Sequence, residues 1–150
     1  MKAVTRSIHV GRPPDEVFAW VGDLSRYRDF FVGVSLWEPI GEVRNRVGER
    51  FKILLEIGAT HTGGRVVITE RSAPRHLAWE SEVGTRHRAR FELTPRDGGT
   101  DVALTLEFRL TGRIFGRLVE QIATPIVERI LVATLETLRD RVEWQHVDAV

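Results

Sequence analysis

VALTLEFRLTGRIFGRLVEQIATPIVERILVATLETLRDRV, residues 102–142, changes its hydrophobic period once, and that change decides the fold. Val102, Leu104, Leu106, Phe108 and Leu110 alternate with other residues, the period of a strand with one face in a core. After Gly112 the apolar positions follow helical spacing from Ile114 to Val147, which predicts one long C-terminal helix with Pro125 inside it. An amphipathic helix that follows amphipathic strands must lie across their sheet, because neither apolar face can stay in water.

Upstream, the strand period recurs. Val4, Arg6, Ile8 and Val10 share one face of a first strand, which Gly11 and Pro13-Pro14 stop. Pro14, Asp15 and Glu16 suit the start of a short helix carrying Val17, Phe18, Trp20 and Val21. Gly22 ends it, and Asp23 is placed to cap a second short helix through Leu24, Tyr27 and Phe30. A meander then follows: Val34–Ile40; Phe51, Ile53, Leu55 and Ile57; Val66 and Ile68, with Glu70 continuing their face; Leu77, Trp79, Ser81 and Val83; His87, Ala89, Phe91 and Leu93. Gly41, Gly58, Gly63-Gly64, Ala73-Pro74, Gly84 and Asp97-Gly98-Gly99 read as turns between them. The expected fold is α+β: seven antiparallel strands curved around the last helix, with two short helices between strands one and two.

Composition narrows the function classes. Hydrophobic residues make up 42% and charged residues 29% of the 150, enough for a sizeable core and too apolar for a disordered chain. One domain over residues 1–150 is expected, since no linker or repeat interrupts the pattern. A net charge of +1 gives no general attraction to nucleic acid. The row Arg86, Arg88, Arg90 faces Glu80, Glu82 and Glu107 on neighbouring strands and reads as a solvated salt-bridge ladder rather than a nucleic-acid stripe. There is no cysteine, so no disulfide or thiolate metal site. His9, His61, His76, His87 and His146 lack metal-ligand spacing, and no phosphate loop or Gly-x-Ser-x-Gly occurs, so neither a metal nor a cofactor is expected. The N-terminal MKAVTRSIHV lacks a signal-peptide core, and no apolar run nears the roughly 20 residues that span a bilayer. A cytoplasmic location without stable membrane insertion is expected, as monomer or homodimer.

Within the long helix, Phe115, Leu118, Val119, Ile122 and Ile126 form one stripe, and Val127, Leu131, Leu135, Leu138 and Val142 form another, rotated from it. The change falls at Pro125, where a lost hydrogen bond favours a kink. The second stripe is expected to seal core against the sheet, and the first to line any space left near its open end.

The order strand, two short helices, six strands, long helix resembles the START/Bet v 1-like helix-grip superfamily (SRPBCC), and within it the bacterial polyketide cyclase/dehydrase-like and lipid-transport-like proteins. RSIHVGRPPDEVFAWVGDLSRYRDFF (6–31), ITERSAPRHLAWES (68–81) and GRIFGRLVEQIATPIVERILVATLETLRD (112–140) carry the resemblance, which covers the chain from Val4 to Val142. These are packing and turn residues, so they point to fold more than to activity. The resemblance implies an apolar cavity between sheet and helix, and a hydrophobic ligand such as a lipid, polyketide or quinone.

The expected pocket wall is Phe51, Ile53, Leu55, Val66, Ile68, Leu77, Trp79, Ser81, His87, Ala89, Phe91, Leu106, Phe115, Val119, Ile122 and Ile126. Phe30, Phe31 and Trp37 are the expected portal. His87 is the candidate for proton transfer, with Glu70 as its acid/base partner. Arg6 is an unexpected charge on an inward face and is expected to have a structural partner. Carrying or presenting a hydrophobic small molecule is the expected function. A cyclase/dehydratase using His87 and Glu70 is the alternative, and a quinone-chaperone or protein-partner role through the aromatic portal is a third.

Overall fold

Alternation on the strands dictates a sheet with one dry face, and the computed structural model shows it. It describes residues 2–57, 60–109 and 116–148, without the side chains of 57, 60, 62, 116–122 and 145–148. The elements are β1 (Lys2–Val10), α1 (Pro14–Val21), a 3-10 helix (Leu24–Asp29), β2 (Val34–Ile40), β3 (Arg50–Ile57), β4 (Thr60–Ser72), β5 (His76–Val83), β6 (Arg86–Arg96), β7 (Gly99–Arg109) and α2 (Gly116–Asp148). The fold is α+β, the expected helix grip. Seven antiparallel strands run in the order β1-β7-β6-β5-β4-β3-β2. Among the described residues no helix is long and apolar enough to cross a membrane.

Local chemistry accounts for the element ends. Pro14 opens α1, where a missing N–H costs nothing. The Asp23 carboxylate accepts from the Ser25 N–H and caps the 3-10 helix. Asp97 and Gly98 both have positive φ, the conformation a two-residue hairpin turn requires between β6 and β7. Gly63 and Gly64, read from sequence as a turn, lie inside β4 instead. Their purpose there is close approach: a Cβ on Gly64 would sit 2.5 Å from the Val83 carbonyl oxygen, so the β5–β6 turn presses on bare backbone.

The dry face is covered by α2. Ala123, Val127, Leu131, Leu135, Leu138 and Val142 are buried and fall on one stripe. The helix runs on through Pro125, which stands on its exposed side. Arg6 has the structural partner expected of it, an ion pair with Glu128 of α2 at 3.2 Å.

Beneath the other end of the sheet lies an aromatic cluster centred on Tyr27. Its ring lies 4.9 Å from Phe30, 5.0 Å from Trp37, 5.3 Å from Trp79, 5.9 Å from Phe31 and 6.2 Å from Phe91. Most of these contacts are edge-to-face, the arrangement the ring quadrupoles favour. The buried Tyr27 hydroxyl donates to the Val21 carbonyl at 2.6 Å. Burial holds that phenol well above its ordinary pKa, so it stays a neutral donor. Tyr27→Phe keeps the ring and removes the donor, leaving the Val21 carbonyl short of a bond. It is expected to lower stability by about 1–2 kcal/mol, or roughly 2–8 °C in Tm, measured by thermal unfolding. An unchanged Tm would show that the hydroxyl is dispensable.

Candidate functional site

Where the aromatic cluster ends, a space of about 50 Å³ remains between the sheet and α2. Its walls are apolar and come from both layers. The sheet supplies Val34 and Trp37 of β2, Ile53 and Leu55 of β3, Trp79 of β5, and Leu106 and Phe108 of β7. The helix supplies Val127 and Ile130, and the segment Phe31–Val32–Gly33 lies across one side. Thr85 and His87, where β6 begins, complete the lining among the described residues.

Strand irregularities position this wall. A register shift between Val34 and Leu36 puts Val34 opposite Leu55 and Trp37 opposite Ile53, so two residues three apart share the inner face. The segment before β2 is tied at two points. The Val32 N–H donates to the buried Thr134 hydroxyl of α2 at 3.0 Å, and the Glu56 N–H donates to the Gly33 carbonyl at 2.7 Å.

His87 is the titratable group in the lining. It is 6% exposed, and its backbone N–H donates to the Ser81 hydroxyl at 3.0 Å. Its Nδ1 lies 2.9 Å from the Thr85 carbonyl oxygen, an acceptor only, so Nδ1 carries the proton and Nε2 keeps a lone pair in the neutral ring. Burial lowers the imidazole pKa and the Thr85 bond partly opposes it, so the ring is neutral at pH 7. The ring of Trp37 forms part of the wall. Its Nε1–H is buried and has no hydrogen-bond partner among the described residues.

The pair His87 and Glu70 is not brought together. A second register shift, between Ile68 and Glu70, turns the strand over. Ile68 faces inward opposite Trp79, whereas Glu70 stands opposite Ala78 on the outer face and meets Arg90 at 3.4 Å. Arg71 takes the inner side instead, with its guanidinium 5.2 Å from the Phe18 ring. Strict alternation through the bulge is what put Glu70 inside.

The remaining expected residues divide. Phe51, Val66, Ile68, Leu77, Ala89 and Phe91 are buried in the core but do not line the space. Ser81 is half-buried and holds the His87 backbone. Ile126 is half-buried, and its neighbour Val127 faces the space in its place. Phe115 and the side chains of Val119 and Ile122 lie outside the described residues. Phe30, Phe31 and Trp37 do not form an exposed portal: they are 2%, 8% and 4% exposed, as members of the Tyr27 cluster. Phe31 and Trp37 are walls of the space, not its rim. The sequence pattern did not place Val32, Gly33, Val34, Thr85, Phe108, Val127 or Ile130 at the space, and it assigned Val127 to the stripe that seals core. Ile130 does belong to the helical period, three residues after Val127, and that spacing is the signal that finds it.

The outer face holds roomier grooves, one of about 270 Å³ beside Arg88 and Arg90. Its charges are already engaged: Arg88 pairs with Glu107, and Arg90 pairs with Glu70 and Glu92. Of the ladder expected from sequence, Arg88–Glu107 forms, whereas Glu82 pairs with Arg50 and Arg65 and Arg90 takes Glu70 and Glu92; the inner space is left as the candidate site.

A family model described as polyketide cyclase/dehydrase and lipid transport matches residues 1–143. The chain is similar in structure to TTHA0849 from Thermus thermophilus, with TM-score 0.83 and 20% identity over 96% of this chain and 99% of that one. It is similar to the Zhui aromatase/cyclase from Streptomyces sp. R1128, with TM-score 0.79 and 18% identity over 95% and 93%. A START superfamily protein from Mycobacterium smegmatis gives TM-score 0.76 and 15% identity over 95% and 98%. At these identities the likeness shows the fold. No curated protein sequence matches the chain.

Burial of His87 has a consequence for stability. Its pKa is lower in the folded state than the ordinary 6.5 of an unfolded chain, so the unfolded state binds the proton more readily. Stability therefore rises with pH in that range, and is lost as pH falls through 6.5. Chemical denaturation between about pH 7.5 and about pH 5 is expected to show a shallower acid-side decline for His87→Gln than for the parent protein. Parallel curves would mean that His87 is not held neutral by its surroundings.

Proposed function

We propose that this chain, which belongs to the polyketide cyclase/dehydrase and lipid transport family, binds a hydrophobic small molecule between its sheet and α2 and carries or presents it. The observation that supports this reading is the lining: apolar side chains from both layers enclose the space, and its titratable group is a neutral imidazole whose Nδ1–H is held by the Thr85 backbone carbonyl. A few polar groups in an apolar concavity is the usual make-up of a small-molecule site.

Size sets a condition on binding. A cavity that admits benzene measures about 150 Å³, three times the space present. A ligand of one ring or more must part the walls. Val32 is the most exposed of them and Ile130 is half-buried against Gly33, so this is the side where parting disturbs least core.

A second reading has its own support. His87 Nε2 is a free lone pair in the neutral ring, and a neutral imidazole in an apolar site can accept a proton from an acidic carbon or hydroxyl. That is a cyclase- or dehydratase-type role carried by His87 without Glu70.

Titration with the neutral probe N-phenyl-1-naphthylamine, followed by fluorescence, is expected to give saturable binding. Ile130→Trp, which fills the mouth, is expected to weaken it by about tenfold or more, a loss of about 1.4 kcal/mol. Absence of saturable binding, or indifference to Ile130→Trp with Tm preserved, overturns the assignment of this site. Turnover of a poly-β-carbonyl thioester that vanishes in His87→Ala while probe binding persists would replace carriage by catalysis.

A further inference from the structure

The outer face of the sheet carries a charge arrangement that the fold leaves unsatisfied. Arg109 of β7 stands directly opposite Arg86 of β6, so the two side chains share that face. Like charges so opposed destabilise a sheet. Neither arginine side chain has an ion-pair or hydrogen-bond partner among the described residues. The acids beside them are committed elsewhere, Glu107 to Arg88 and Glu82 to Arg50 and Arg65. Glu80, opposite Arg88, pairs with neither. The same row continues across the sheet. Val83 of β5 stands opposite Arg65 of β4, and Arg65 opposite Lys52 of β3. Val83 is 52% exposed, an aliphatic side chain in water at the middle of a row of cations. Glu38, opposite Lys52, closes the row at β2.

We propose that this row is a docking surface for a protein partner, which lays across it a helix carrying carboxylates on both sides of an apolar side chain. The inference is independent of what the inner space binds. From Arg109 to Lys52 the row crosses four strand intervals, about 19 Å at about 4.8 Å each, which is too long for one small anion. One strand interval nearly matches the helical pitch of about 5.4 Å. A helix lying across the strands therefore sets one side chain per turn over Arg109, Arg86, Val83, Arg65 and Lys52 in succession. The complement of that row is acid, acid, apolar, acid, acid. An apolar centre with a charged rim is the ordinary make-up of a protein interface, and matched charge fixes the register of the partner. Other polyanions fit less well. Single-stranded nucleic acid finds no aromatic side chain in the row to stack on, and Glu82 and Glu38 oppose a continuous line of phosphates. A bilayer surface needs a broad apolar face to enter, and the row offers it Val83 alone.

The probe is a synthetic, fluorescently labelled helical peptide of about 18 residues, with glutamate at four turns and leucine at the central turn of one face. Titrated into the full chain and followed by anisotropy, it is expected to bind saturably, and more weakly at about 200 mM than at about 50 mM salt. Reversing the unpaired charges, Arg86→Glu with Arg109→Glu, is expected to weaken binding by about tenfold or more, and Val83→Ser by about threefold. Arg96→Glu, at the far end of β6, is expected to change it by less than about twofold. If the double reversal does not fold, Arg86→Gln with Arg109→Gln takes its place, with the same direction expected. Arg109→Gln alone is expected to keep or raise Tm, because it relieves the opposed pair. A fall in Tm would mean that Arg109 has a partner inside the fold, and would sink the proposal. So would absence of saturable binding, or indifference to the Arg86 and Arg109 variants with Tm preserved. Tighter binding of an oligothymidylate, or of phosphatidylcholine–phosphatidylserine vesicles, than of the peptide would overturn the assignment to a protein partner.

Discussion

A helix striped from Ala123 to Val142 cannot stand in water, and neither can the inner face of the sheet; among the described residues each covers the other at that end of the fold. Val127, Leu131, Leu135, Leu138 and Val142 are buried almost completely, and each large aliphatic side chain so buried contributes about 1.5–3 kcal/mol. Their sum, on the order of 10 kcal/mol, is comparable to the whole net stability of an ordinary domain. The position of α2 is therefore fixed by packing, and the candidate site is whatever that packing leaves unfilled.

What it leaves is small because the aromatic cluster is large. Tyr27, Phe30, Phe31, Trp37, Trp79 and Phe91 occupy the ground between the short helices and the sheet. Rings that interlock edge to face resist separation, whereas the segment at Val32 and Gly33 is held by one hydrogen bond to the Thr134 hydroxyl, one to the Glu56 amide, and little buried surface. The site thus has one stiff wall and one compliant wall. Its lining is almost wholly apolar, with Thr85 and His87 beside the start of β6 and no charge among the other described walls.

Reading the chain as a string of periods recovered the elements that obey one period throughout. β6 and β7 alternate without interruption, and their inward residues His87, Ala89, Phe91, Leu93, Val102, Leu104 and Phe108 are buried as the pattern requires. The long helix and the capped 3-10 turn were legible for the same reason. Legibility failed where one extra residue changes the phase. The bulge after Ile68 sent Glu70 outward and Arg71 inward, and no residue type at Thr69 announces it. The bulge after Val34 likewise aligned Val34 with Trp37. Phe30, Phe31 and Trp37 were misplaced for a different reason. Aromatic residues near a helix end suit a rim and a core equally, and only the contact with Tyr27, distant in sequence from Trp37 and Trp79, decides between them.

Thr134 is the one buried polar side chain described on α2, and its hydroxyl holds the Val32 amide rather than facing the site. The compliant wall is thereby leashed to the helix by a residue that does not line it. Substitution at position 134 can loosen or tighten that leash while every lining side chain stays the same. Descendants of this chain thus have a route to an altered inner space that runs through the helix, and a comparison of lining residues alone would not detect it.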